Sequence, residues 1–159
     1  MSIEKVRAYF AGVGLADRIQ EFEVSSATVA LAAQALGVAP ERIAKTLSFA
    51  SGDGAILIVA AGDAKVDNPR FKATFGMKAK MLTPEDALRL TGHAVGGVCP
   101  FALNEGVAVY LDESLRRFDL VYPAAGSANS GIGLSIPELE THAHAERWVD
   151  VCKGWREEE

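Results

Sequence analysis

The chain has 159 residues, 49% of them hydrophobic, with 15 Gly, 6 Pro, two Cys and a formal net charge of −5. That length suits one domain of ordinary size, able to bury roughly 70% of its unfolded surface without disulfides or a structural metal. The negative charge excludes a nonspecific grip on a polyanion, so any nucleic-acid contact is expected to be small and local. No uncharged apolar run approaches the roughly 18–20 residues that span a bilayer, and the opening MSIEKVRAYF lacks a signal-peptide core. A cytoplasmic protein is expected, with no membrane partner. Cys99 and Cys152 lie far apart and form no CxxC pair, which predicts two free thiols.

Residues 3–11 place Ile3, Val6, Tyr9 and Phe10 on one side, the pattern of a short amphipathic helix. Alternation from Ile19 to Val24 predicts a half-buried strand. Ser25 or Ser26 is placed to cap a helix through Val29, Ala30, Ala33 and Leu36, with Gly37 ending it. Pro40 starts a helical turn that runs into Lys45–Phe49, a strand with Leu47 and Phe49 facing inward. After a turn at 51–54, Ile56–Ala61 is apolar on both faces and reads as a central strand, hairpinned to the previous one. Asn68 as N-cap, Pro69 at the first helical position and Gly76 as the stop frame another helix. Thr83–Asp86 opens the next, closed by Gly92.

The second half is richer in strands and glycine. Residues 96–101 read as a loop, 107–111 and 118–122 as strands, and 126–133 as a Gly- and Ser-rich loop. Ser135 and Glu138 have the capping-box spacing that begins the last helix. Strand pairs with helices interspersed irregularly predict a single α+β domain over 1–159, built on a mainly antiparallel sheet, with a frayed tail at 156–159.

Neither a GxGxxG turn nor a phosphate-binding GxxxxGK[ST] loop is present, which speaks against nucleotide binding by those routes. His142 and His144 are two residues apart and His93 is remote, so no metal or other cofactor is expected. Cys99, in the Gly-Gly-Val-Cys-Pro loop, allows two readings. It is either a nucleophile with His93 as its base or, preferably, a small buried side chain lining a pocket. Gly96 and Gly97 allow close approach of main chain to a ligand, and amides of such a loop can converge on one oxygen. The same residues would equally make an ordinary tight turn. Lys45, at the boundary of a helical turn and a strand, either projects into a cleft or is a surface lysine. Asp63, just past the central strand, reads more readily as a turn-former than as a catalyst.

Four segments stand together in a familiar order: Ala44-Lys45-Thr46-Leu47-Ser48-Phe49, Ala60-Ala61-Gly62-Asp63, Gly96-Gly97-Val98-Cys99-Pro100-Phe101 and Tyr122-Pro123-Ala124-Ala125-Gly126-Ser127. From about residue 3 to 150 the chain resembles the YbaK/ProX family, the editing domains associated with prolyl-tRNA synthetase. The resemblance implies a mixed, mainly antiparallel sheet curled into a partial barrel with surrounding helices. It implies an aminoacyl-tRNA deacylase that hydrolyses the ester of a mischarged amino acid on tRNA, commonly tRNA for proline. Lys45 matches the family lysine needed for activity. Gly97, Val98, Cys99, Pro100 and Phe101 match the loop that holds the aminoacyl group, and Gly126, Ser127 and Ser130 fall in a loop closing the other side. Many members carry Ser at the position of Cys99, so a thiol nucleophile is not implied.

An aminoacyl ester is already activated, so positioning with a charge-stabilising donor can lower the barrier by several kcal/mol. The family resemblance also suggests help from the substrate's own 2′-hydroxyl. Val24, Ala27, Leu47 and Val98 are expected pocket walls, with Thr46 and Asp63 among the contacts. A pocket distinguishes side chains by only about 1–3 kcal/mol per methylene, so rejection of the cognate amino acid must be steric. Alanine, serine, cysteine and 2-aminobutyrate are all candidates. No basic surface for the tRNA body is apparent, so contact is expected at the acceptor end, or through a partner such as prolyl-tRNA synthetase. The competing reading is a noncatalytic module that binds a tRNA end, a synthetase or a metabolite.

Overall fold

The computed structural model describes residues 2–156. Of the tail expected at 156–159, residues 157–159 lie outside the described residues, whereas Arg156 is held by Asp150 at 2.6 Å and stacks over Trp155. Helix α1 (Ser2–Gly12) buries Val6 and Phe10, the latter edge-on to Phe101 with ring centroids 4.9 Å apart. Strand β1 (Ile19–Glu21) is shorter than its alternation suggests. Beyond it the chain still runs beside residues 128–130, with Phe22 N–H donating to the Asn129 carbonyl at 2.8 Å and Ser26 N–H to the Ala128 carbonyl at 2.6 Å. Those bonds hold Ser25 and Ser26 in the extended segment. Thr28 instead caps α2 (Val29–Leu36), accepting from Leu31 N–H, and Gly37 ends the helix in the left-handed region.

A 3₁₀ turn at Pro40–Arg42 leads into β2 (Ile43–Ser51), which hairpins with β3 (Gly54–Ala61) through eight antiparallel register pairs. Leu57 through Ala61 are fully buried, as a central strand requires. After β4 (Lys65–Val66) comes α3 (Asn68–Phe75), whose cap is Asp67 rather than Asn68, because the Asp67 carboxylate accepts from Arg70 N–H. Helix α4 (Pro84–Thr91) lies between Thr83 and Gly92 as expected. The second half supplies β5 (Ala108–Asp112), a 3₁₀ turn at Glu113–Arg117, β6 (Leu120–Pro123), β7 (Ser130–Ile132) and β8 (Leu134–Ser135). Helix α5 (Ile136–His142) has the full Ser135/Glu138 capping box, and β9 (Arg147–Val149) and β10 (Cys152–Lys153) follow.

The fold is α+β. Six strands form one mixed sheet in the order β8-β6-β2-β3-β5-β9, curled into a half-barrel with the helices around it. Two short antiparallel pairs, β1–β7 and β4–β10, complete it. The Gly-rich stretch read as a loop thus contains β7, because Ile132 pairs opposite Ile19 and both are buried. Most apolar side chains join one core between the sheet and α1, α3 and α5. Helix α2 stands apart on a small cluster of Ala32, Ala33 and Ile43, flanked by Tyr122.

Candidate active site

The candidate site follows from an interruption in the sheet. Strand β2 pairs with β6 only at Ile43↔Tyr122 and Ala44↔Pro123. Further along the same edge, Leu82 N–H donates to the Ser48 carbonyl at 3.1 Å and Ala50 N–H to the Lys80 carbonyl at 2.8 Å. Main-chain polar groups alternate sides along a strand, so the parity of Ala44, Ser48 and Ala50 puts the Thr46 N–H and C=O on this edge. Among the described residues, neither flanking segment pairs with Thr46.

A cavity of about 320 Å³ opens at this gap. It touches Lys45, Thr46, Leu47 and Ser48 in succession, and contact with both faces of a strand places it at the strand's edge. Val29, Ala32 and Leu36 of α2 form one wall, Gly96 and Val98 another, and Tyr122–Ala124 the floor where β6 departs. Met81 and Val95 stand at the mouth, 59% and 62% exposed. The walls are largely apolar. Within them the Thr46 hydroxyl is buried without a hydrogen-bond partner, a state that costs about 1–3 kcal/mol unless a ligand relieves it. Burial pushes the Lys45 ammonium below the ordinary lysine value; Cys152 and Asp63 oppose that shift and Lys65 adds to it.

The loop at 96–101 is organised differently from the sequence expectation. The Gly97 N–H donates to the Ala94 carbonyl at 2.9 Å and closes a turn, so it is not a free donor for an oxyanion. Gly97 is instead required for packing: a Cβ there would lie 2.7 Å from Ser127 Cα and 2.9 Å from the Gly126 carbonyl carbon. Gly126, at φ 99°, in turn backs onto Ser2 and Ile3 of α1. Ser127 Oγ donates to Ser130 Oγ at 2.8 Å, which fixes this second loop beneath the first. Both glycines therefore set the height of the cavity wall from behind.

Cys99 is fully buried, and burial pushes its thiol up to about 12. His93 Nε2 lies 2.7 Å from the Phe101 carbonyl and must donate its proton there, leaving no lone pair on that nitrogen for the thiol 3.6 Å away. A nucleophilic Cys99 activated by His93 does not fit this arrangement.

Of the residues singled out from sequence, Lys45, Thr46, Leu47, Ala27, Val98 and Ser130 meet at the cavity. Cys99 and Phe101 are in the core and Pro100 is buried behind the wall. Val24 is 62% exposed and outside the cavity. Asp63 is clamped by Arg117 at 2.5 and 2.9 Å, a bidentate pair that anchors the end of β3. Sequence reasoning did not place the α2 face, Met81 or Val95 at the site, and met Tyr122 only as the end of a strand and the first residue of a family motif. The helical stripe Val29, Ala30, Ala33 and Leu36 reads equally well as helix packing.

The profile of the aminoacyl-tRNA editing domain matches residues 23–141, a span that contains every cavity residue just named. The chain belongs to this family. The editing domain is 53% identical over 156 residues to the uncharacterized protein YwhH of Bacillus subtilis, covering 98% of this chain and 99% of that one. It also superposes on the crystal structure of a candidate trans-editing enzyme for prolyl-tRNA synthetase with a TM-score of 0.86 and 30% identity, over 96% and 98% of the two chains. Proline–tRNA ligase of Lactiplantibacillus plantarum is 26% identical over 141 residues, 88% of this editing domain but only 22% of the ligase. This chain therefore corresponds to about a fifth of that enzyme.

Proposed function

We propose that the protein is a trans-acting, cytoplasmic deacylase that hydrolyses the ester of a mischarged small amino acid on tRNA, with tRNA for proline as its acceptor. Membership of the editing family supports the reaction class. The observation that supports the finer reading is the notch in β2, where Lys45 and Thr46 line a largely apolar cavity walled by α2, with the buried Thr46 hydroxyl unpartnered in its wall. The aminoacyl side chain enters between Ala27, Ala32 and Val98. The ester carbonyl lies toward Lys45, whose ammonium donates to the oxygen that gains charge. Water adds to the carbonyl carbon, the bond to the ribose oxygen breaks, and that oxygen takes up a proton. The neighbouring ribose hydroxyl helps to activate the water. With Cys99 inert, no covalent intermediate is needed.

On this reading Val29, Leu36 and Tyr122, the bulky side chains of the lining, supply the steric rejection of larger amino acids. The test is a deacylation panel of tRNA for proline charged with alanine, serine, cysteine, 2-aminobutyrate or proline. The expected result is release of at least one small amino acid well above the uncatalysed rate, with prolyl-tRNA spared. Background rates throughout would leave a noncatalytic binding module as the surviving description.

A further inference from the structure

An acidic protein that handles RNA must hold it somewhere other than on its average surface. Residues 68–82 contain Arg70, Lys72, Lys78 and Lys80 and no Asp or Glu. Those four positive charges sit in a chain of net −5, so the remainder carries −9. Arg70 is committed to Asp67 and Asp150. Lys72, Lys78 and Lys80 are exposed, and among the described residues no ion pair is recorded for any of them. Of the two acids that open α4, Asp86 is taken by Arg89 at 3.0 Å, and Glu85 pairs with none of these lysines among the described residues.

Position makes the segment informative. Met77 and Ala79 pack on the core while Lys78 and Lys80 point outward on alternate residues. The bonds from Leu82 to Ser48 and from Ala50 to Lys80 fasten this strip to β2, and Met81 and Leu82 then form part of the cavity mouth. From Lys45 to Phe49, which bridges Met81, is four residues of strand, about 13 Å at 3.2–3.4 Å per residue. The backbone that carries Lys78 and Lys80 is thus fastened about 13 Å along β2 from Lys45, beside Met81 and Leu82 of the cavity lining.

We infer that Lys78 and Lys80 form a phosphate-binding strip that takes the sugar–phosphate backbone of an RNA 3′ end as it enters the cavity. The inference rests on the proposed tRNA substrate, but its test does not depend on turnover. Each phosphate neutralised by a lysine releases counterions, so log Kd changes with log salt by about 0.7–0.9 per contact. Binding of uncharged tRNA for proline is measured by fluorescence anisotropy between 50 and 200 mM salt for wild type, Lys78→Ala/Lys80→Ala and Arg147→Ala. Arg147 is an exposed cation on β9, at the far edge of the sheet.

The double variant should bind at least tenfold more weakly at 50 mM salt, with a slope lower by about 1.4–1.8. Arg147→Ala should match wild type. An unchanged slope in the double variant, an equal loss in Arg147→Ala, or no tRNA binding by wild type overturns the inference. Deacylation by a wild type whose double variant binds unchanged would sink only this strip. Lost binding in the variant of a protein that deacylates nothing would sink only the reaction.

Discussion

Gly97 and Ser127 touch backbone to backbone: a methyl group on Gly97 would lie 2.7 Å from Ser127 Cα and 2.8 Å from Ser127 N. Neither neighbour is the end of a flexible side chain, so Gly97→Ala must move one loop off the other. The displaced wall carries Val98 and Gly96 into or away from the cavity. Overpacking of this kind costs about 1–3 kcal/mol, or roughly 2–12 °C in Tm for a chain of this size. Deacylation by Gly97→Ala should fall about tenfold while far-UV circular dichroism is retained. Full activity at an unchanged Tm would show that the two loops have slack.

Lys45 yields a prediction of opposite sign for stability and activity. Burial lowers its folded pKa below the unfolded value. Between those two values the unfolded chain binds the proton more tightly, so stability rises with pH through the window and is lowest beneath it, where the buried ammonium is charged. Lys45→Met should therefore raise Tm at pH 7 while cutting deacylation by tenfold or more. Lys45→Arg keeps the charge and should lose the alkaline fall in rate that wild type shows as Lys45 deprotonates. A Tm that drops in Lys45→Met would mean the ammonium is stabilised by its surroundings.

Thr46→Val removes a hydroxyl that has no partner in the free protein. Tm should stay level or rise slightly, because an unsatisfied buried group disappears. With substrate present the lost hydrogen bond is worth about 0.5–1.5 kcal/mol, roughly two- to tenfold in kcat/KM. Unchanged kinetics would place the substrate's polar atoms elsewhere.

Cys99, with its thiol near 12, presents about one thiolate in 10⁵ at pH 7. Cys99→Ala should deacylate within about threefold of wild type, and iodoacetamide should label Cys99 only after unfolding. Loss of turnover in Cys99→Ala with a retained fold would revive the thiol as a participant.

Much of the architecture was readable because its causes are local. The β2–β3 hairpin follows from alternation beside an all-apolar run, and Gly37, Gly76 and Gly92 end helices where expected. Caps shifted by one to three residues where a carboxylate or a competing strand contact won, at Asp67 and Thr28. Strands β9 and β10 escaped notice because two or three residues are too few to show a period. At the site, Lys45, Thr46 and Val98 came from motifs, whereas Met81, Val95 and the α2 face depend on which distant segments meet β2. Leu47 illustrates the boundary: its inward parity was clear, but it is half-buried on the cavity wall while Phe49 is 2% exposed in the core. Cys99 and Phe101 lie in a motif whose main chain shapes the site while their side chains fill the interior.

In the proposed reaction, the one-residue break in the outer ladder of β2 would divide the labour of recognition. Lys45 and the peptide groups of the notch would meet the carbonyl and amine that every aminoacyl moiety shares, whatever its side chain. Choice among amino acids would then fall to the wall built by α2, which rests on a cluster of its own rather than on the main interior. Under the proposed reaction, exchanging residues such as Val29 or Ala32 would redirect the enzyme to a different error of charging while its hydrolytic apparatus stayed as it is.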